Sequence, residues 1–213
     1  PNWSTMRPEA VPYPGADGPG IIAALQNGDP DGTVWRPAEV DVSIRPGWFY
    51  HPADDARVRS VDNLVQLYHT SVGRNSKLLL NVPPTRDGLL HETDAARLAG
   101  MRERLQAAFG SPLSAERHEW MTGQPVGRLE VDFGKPVSVG AVRMFENIAA
   151  GQRVARYRLS GKNDAGWTEL SRGTTIGYAK IDRFTATTVR TLMLEIDAAL
   201  GAPAPSVTGY APY

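Results

Sequence analysis

VWRPAEVDVSIRPGWFY, residues 34–50, is the stretch on which the fold and function of this chain turn. It crowds two tryptophans, two carboxylates and arginine among proline and glycine, where an ordinary strand or loop would dilute them. Aromatic rings offer an apolar face to one side of a pyranose, and charged groups grip its hydroxyls, so the composition is that of a sugar site. Outward from it the chain is regular. Ser60 is placed to cap a helix in which Val61, Leu64, Val65, Tyr68 and Val72 keep helical spacing and Gly73 closes the segment. Residues 77–82 form a short apolar run before Pro83 and Pro84, as expected of a buried parallel strand. Thr93 is placed to cap a second helix, with Leu98, Met101, Leu105 and Phe109 on one face and Gly110 at its end. Helix, buried strand, loop and helix are the grammar of an α/β barrel, and so few elements are the tail of one.

Upstream, residues 1–33 hold no steady period. Pro8, Pro12, Pro14, Pro19 and Pro30, with interspersed glycines, break helix and strand alike, and only residues 21–26 suit a short helical turn. Downstream the pattern changes near Ser111 and Pro112. From Arg128, Leu129, Val131 and Phe133 point one way while Glu130 and Asp132 point the other. Similar short strands are expected at 137–145, 154–160, 167–171 and 189–196, with turns between them, which predicts an antiparallel β-sandwich. Residues 111–127 leave the start of that sandwich short by a strand or two. The fold expected is α/β plus all-β, divided at residues 1–110 and 111–213.

The 213 residues suffice for one large or two ordinary domains. With 23 basic and 23 acidic side chains spread along the sequence, nothing concentrates positive charge for nucleic acid or an anionic membrane. The apolar runs are too short to span a bilayer. There is no cysteine, which excludes disulfides and thiolate metal sites. The first residue is Pro1, not Met, so no targeting signal is read from this start. Alanine, arginine and glycine in abundance suit a bacterial source.

The stretch 34–50 followed by SKLLLNVPP at 76–84 resembles the end of the catalytic domain of family 29 α-L-fucosidases. The likeness extends through SVGRN (71–75) and DGLL (87–90), then into ENIAAGQR (146–153) and GTTIGYAKIDR (173–183), which look like that family's C-terminal sandwich of galactose-binding or discoidin type. The resemblance implies a retaining glycosidase with a carboxylate nucleophile and a carboxylic acid/base about 5–5.5 Å apart, and no metal or organic cofactor. In the family both carboxylates lie upstream of the segment matched here. By the same resemblance, PNWST at the start continues just past the second. The expected partners are a fucosylated oligosaccharide and the N-terminal remainder of the barrel. A secreted or periplasmic location follows from the substrate class alone, and the loop resembles that of the subgroup cleaving α-1,3/1,4-linked fucose.

Candidate substrate contacts come from the same stretch. By resemblance Trp48 covers the C5–C6 edge of fucose, where an apolar wall selects the methyl of a 6-deoxy sugar; the alternative is a ring packed under a loop. Glu39 and Asp41 share a face if extended, and Arg45 is placed to pair with either, for hydroxyl recognition or to fix the loop. Trp35 and Tyr50 are further aromatic candidates, one of them expected to pack. Trp3 is placed for the aglycone side, and His51 follows the cluster. Arg153, Trp167, Tyr178 and Arg183 offer either a sugar platform or packing between domains. Residues 27–32 imitate a calcium loop, but its twelfth position falls on Ala38, and the glycines of 15–20 lack the strand and Lys-Ser/Thr ending of a phosphate loop. The four histidines fall in unrelated settings. Two rivals to the enzyme are a carbohydrate-binding module without activity and an inert fragment. A binding module alone does not explain SVGRNSKLLLNVPP or the helices.

Overall fold

A computed structural model describes residues 2–11, 13, 15–122 and 126–213, with backbone alone at 117–122 and at 150. Pro1, Pro12 and Pro14, named above, and the side chain of His118, one of the four histidines, lie outside the described residues. The first half runs β1 (Thr5–Met6), α1 (Pro19–Asn27), β2 (Val34–Trp35), β3 (Ala38–Ser43), α2 (Val61–Ser71), β4 (Ser76–Asn81) and α3 (Glu92–Phe109). The second half is β5 (Arg117–Thr122), β6 (Gly127–Glu146), β7 (Val154–Asn163), β8 (Gly166–Gly173), β9 (Lys180–Ala199) and β10 (Pro205–Tyr210).

α1 is longer than the turn expected at 21–26, because Pro19 starts the helix where its missing N–H costs nothing. Its end requires glycine. Gly28 has φ 62°, and a Cβ there would lie 2.0 Å from the Trp3 carbonyl oxygen.

β3 and β4 pair in parallel, from Ala38 opposite Ser76 to Ser43 opposite Asn81. Ser60 caps α2 as expected, accepting the Asn63 N–H. The cap of α3 differs: His91, not Thr93, occupies it, and its Nδ1 accepts the Thr93 N–H at 3.3 Å. An imidazole nitrogen can thus do the work of a cap oxygen. The two helices close over Ile44, Val58 and Leu64, with Leu80, Val82, Leu98 and Met101 packed around them. Only that face is covered. Glu39, Asp41, Lys77 and Leu79 are exposed on the other, so β4 is less buried than a central parallel strand.

The six later strands hydrogen-bond into one antiparallel network, β10-β6-β9-β7-β8, with β5 also on β6. Segments 128–133 and 137–145, expected as two strands, are one 20-residue strand, β6. Its register against β9 shifts between Asp132 and Val137. Gly134 takes φ 72° there, a bulge that bends the strand without ending it. β5 fills part of the stretch that looks short of strands, and β9 begins well before residue 189. The core is fully buried at Phe133, Tyr157, Leu159, Leu192, Leu194 and Ile196. Each such side chain contributes about 1.5–3 kcal/mol on leaving water. Tyr157 Oη donates to Asp182 Oδ2 at 2.7 Å, and burial with that carboxylate pushes the phenol well above its usual range.

Two motifs of the sequence turn out to be joints. Glu146 Oε1 accepts from the Arg153 and Val154 N–H groups at 2.7 and 2.8 Å, and its Oε2 accepts from Gly177 N–H at 2.9 Å. Asn75, at φ 65°, donates from Nδ2 to the Asn2 carbonyl at 2.8 Å and to Ser4 Oγ at 3.2 Å. Its Oδ1 accepts Tyr178 N–H at 2.8 Å. Gln152 Oε1 accepts Ser4 N–H at 3.0 Å, while its Nε2 donates to the Asn2 carbonyl at 3.0 Å. These buried amides lock the antiparallel sheet to the helical half.

Candidate functional site

Parallel strands gather their carboxyl ends, and the loops leaving those ends are where α/β folds place ligand groups. β3 runs out through Ile44 and Arg45 and turns at Gly47, whose φ of 78° suits glycine. Trp48 and Phe49 follow, 51% and 77% exposed, then the half-buried Tyr50. Asn81, the last residue of β4, donates from Nδ2 to the Trp48 carbonyl at 3.1 Å and to Ser43 Oγ at 3.0 Å. Leu89 and Leu90 are exposed on the neighbouring loop between β4 and α3, which Thr85 closes through the Leu89 carbonyl. The result is an open apolar rim beside amide and hydroxyl groups.

Beneath the rim lies a charged cluster. The Arg45 side chain is fully buried; its Nε donates to Asp94 Oδ2 at 2.7 Å and its Nη1 to Asp55 Oδ1 at 2.8 Å. The hydrogen bond to Asp94 is the main reason the guanidinium holds its proton more firmly than usual, against the opposing effect of burial. Its Cζ lies 4.8 Å from the Tyr50 ring centre, and that ring sits 5.9 Å from His91. His91 Nε2 lies 3.5 Å from Asp55 Oδ2.

The structure divides the six candidate residues. Trp48, Arg45 and Tyr50 meet at the carboxyl end of β3. Glu39 lies at the amino end, its Oε2 3.2 Å from Nζ of its register partner Lys77. Four residues of strand put Glu39 about 13 Å from Ser43. Asp41 is exposed midway. Trp35, 48% exposed in β2, lines a separate cavity of about 420 Å³ with Lys77, Ile148 and Tyr178. Arg45 therefore pairs with neither Glu39 nor Asp41: it lies past the strand end, and its side chain turns under the loop to reach the start of α3. Trp3 is half-buried beside Glu39.

The sandwich candidates are dispersed. Trp167 lies under Lys162 on the β7–β8 hairpin, Tyr178 faces the Trp35 cavity, and Arg183 stands by His69. Sequence reasoning missed Asp55, Asn81, His91 and Asp94. The one available hint was an acid in the first turn of α3, which helix electrostatics explain without Arg45.

A parallel pair backed by helices carries the aromatic loop at its carboxyl end, and an antiparallel sheet is joined to that helical half. Residues 17–108 match the family model described as Alpha-L-fucosidase. Alpha-L-fucosidase 1 of Arabidopsis thaliana is 31% identical over 222 residues, covering 86% of this chain and 42% of that protein. The rice protein named "Putative alpha-L-fucosidase 1" (Oryza sativa subsp. japonica) is 33% identical over 211 residues, covering 85% of this chain and 40% of that protein. The crystal structure of SpGH29 matches over 100% of this chain and 51% of that one, with TM-score 0.89 and 27% identity. A glycoside hydrolase 29 family member from an unknown rumen bacterium matches over 100% and 38%, with TM-score 0.84 and 31% identity. The chain is homologous to the glycoside hydrolase family 29 α-L-fucosidases. It spans about 40% of the length of these plant relatives.

Proposed function

We propose that this chain supplies the fucose-recognising rim of an exo-acting, retaining α-L-fucosidase that cleaves α-1,3/1,4-linked L-fucose from branched glycans. The observation that carries the proposal is Trp48, half-exposed at the carboxyl end of β3 and held from below. In this reading residues 1–110 close the catalytic barrel and residues 111–213 form its C-terminal sandwich. The nucleophile and the acid/base are contributed by the preceding part of the protein. Glu39 and Asp41 do not serve: one is paired at the far end of the strand, and the other, on the exposed face, has no ion pair among the described residues.

The mechanism is double displacement. One carboxylate attacks the anomeric carbon as the other protonates the leaving oxygen; that second group then deprotonates water, which releases fucose with its configuration retained. Trp48 covers the methyl-bearing edge and excludes water from it. A hydroxymethyl at C6 would lose its hydrogen bonds there, so the wall discriminates by about 1–3 kcal/mol. Fucosylated glycans outside the cytoplasm are the matching substrates, and a secreted or periplasmic location goes with them. The test is Trp48→Ala in the protein that includes its catalytic part. KM for an aryl α-L-fucoside should rise about tenfold or more, with a smaller change for Trp48→Phe. Unchanged kinetics for Trp48→Ala would remove Trp48 from the site.

A further inference from the structure

We propose that Asp94 and Asp55 are positioning residues for sugar recognition, acting through Arg45 on the loop that carries Trp48. The inference rests on the fucose-binding reading of that loop and extends it to side chains that never meet the sugar.

Apart from the Asn81 bond to the Trp48 carbonyl, residues 46–49 make no hydrogen bond among the described residues. Their order must come from the ends. The preceding residue is Arg45, whose side chain is fully buried, and Asp94, equally buried, holds it from the first turn of α3. Asp55 holds it from the short 3-10 turn Pro52–Arg57. The following residue is Tyr50, set between the guanidinium and His91, and His91 itself caps α3. Both ends of the loop are thus referred to one helix start.

Taking Arg45 and Asp94 out of water is costly, and apolar side chains of the same volume would stabilise the fold at least as well. What the charged cluster adds is direction. The rigid guanidinium fork takes one carboxylate on Nε and the other on Nη1, with its Cζ 4.8 Å from the Tyr50 ring centre. Arg45 Nη2 and Asp94 Oδ1 remain buried without partners among the described residues, so the cluster is not arranged for the largest number of bonds.

Two measurements test this. In the protein with its catalytic part, Asp94→Asn should raise KM for an aryl α-L-fucoside about tenfold while kcat stays within about twofold. Asp94→Glu, which keeps the charge, should recover part of that loss. In the 213-residue chain labelled with 5-fluorotryptophan, Asp94→Asn should shift or broaden the Trp48 resonance, assigned by Trp48→Phe, and leave the Trp167 resonance in place. Should Asp94→Asn fail to fold, Asp55→Asn changes the partner that is 35% exposed and should give the same signature at smaller amplitude. A lowered Tm with KM and the Trp48 resonance both unchanged would overturn the proposal. If the unsubstituted protein with its catalytic part releases no fucose, the functional reading fails, while the fluorine spectrum still decides whether Asp94 positions Trp48.

Discussion

His69 sits where α2 meets the last residues of the chain, with Nε2 2.8 Å from Tyr213 Oη and the Phe109 ring 5.9 Å away. Burial, reinforced by the nearby charge of Arg183, lowers its pKa from 6.5 to about 4. The folded state therefore favours the neutral ring. That contribution to stability is complete above pH 6.5 and is lost as pH falls towards 4. Thermal melts should show Tm dropping between pH 7 and 4.5, and His69→Gln should flatten that part of the profile. Gly177 makes a sharper steric claim. Its φ is 67°, and a Cβ there would meet the Asn75 carboxamide at 2.3 Å, inside the network that joins the two halves. Gly177→Ala should lower stability by at least about 1 kcal/mol in denaturant unfolding. Arg45 shows how far single residues could be read. Its presence among the rings was plain, but its partners lie 10 and 49 residues away, and no local spacing announces them.

Local chemistry made some elements legible and hid others. Ser60 and the spacing of Leu64, Val65 and Tyr68 announced α2, and the apolar run at 77–82 announced a strand parallel to its neighbour. β6 was obscured because Gly134 and Pro136 look like a turn between two strands. In the fold they occupy the register shift between Asp132 and Val137, where a strand tolerates both. β10 was hidden by Gly201 and Pro203 just before it and by Pro205 at its first position. The elements also differ in how well they are held. β6 and β9 are 20 residues each and share the fully buried core, whereas β3 and β4 have one another and one covered face. Native-state hydrogen exchange should find amides of 192–196 among the slowest and those of 38–43 and 76–81 among the faster strand amides.

For the whole molecule, the crowding of rings and charges in residues 34–50 pointed to the loop at the carboxyl end of β3, while the sorting of its members needed three dimensions. A strand's amino and carboxyl ends are indistinguishable in composition, so Glu39 and Trp48 looked like neighbours although they lie at opposite ends of β3. Formal charge is balanced, no helix among the described residues is long and apolar enough to cross a membrane, and the exposed face of β3 and β4 carries both Lys77 and Leu79. In the proposed fucosidase that face meets the rest of a catalytic barrel, and the chemistry belongs to carboxylates carried there. The most direct test follows fucose release from a Lewis-type trisaccharide by proton NMR, comparing the 213-residue chain with the protein that includes its catalytic part. The longer protein should release L-fucose first as the α-anomer, and the 213-residue chain should release none. Turnover by the 213-residue chain alone, or none by the longer protein, would contradict the account.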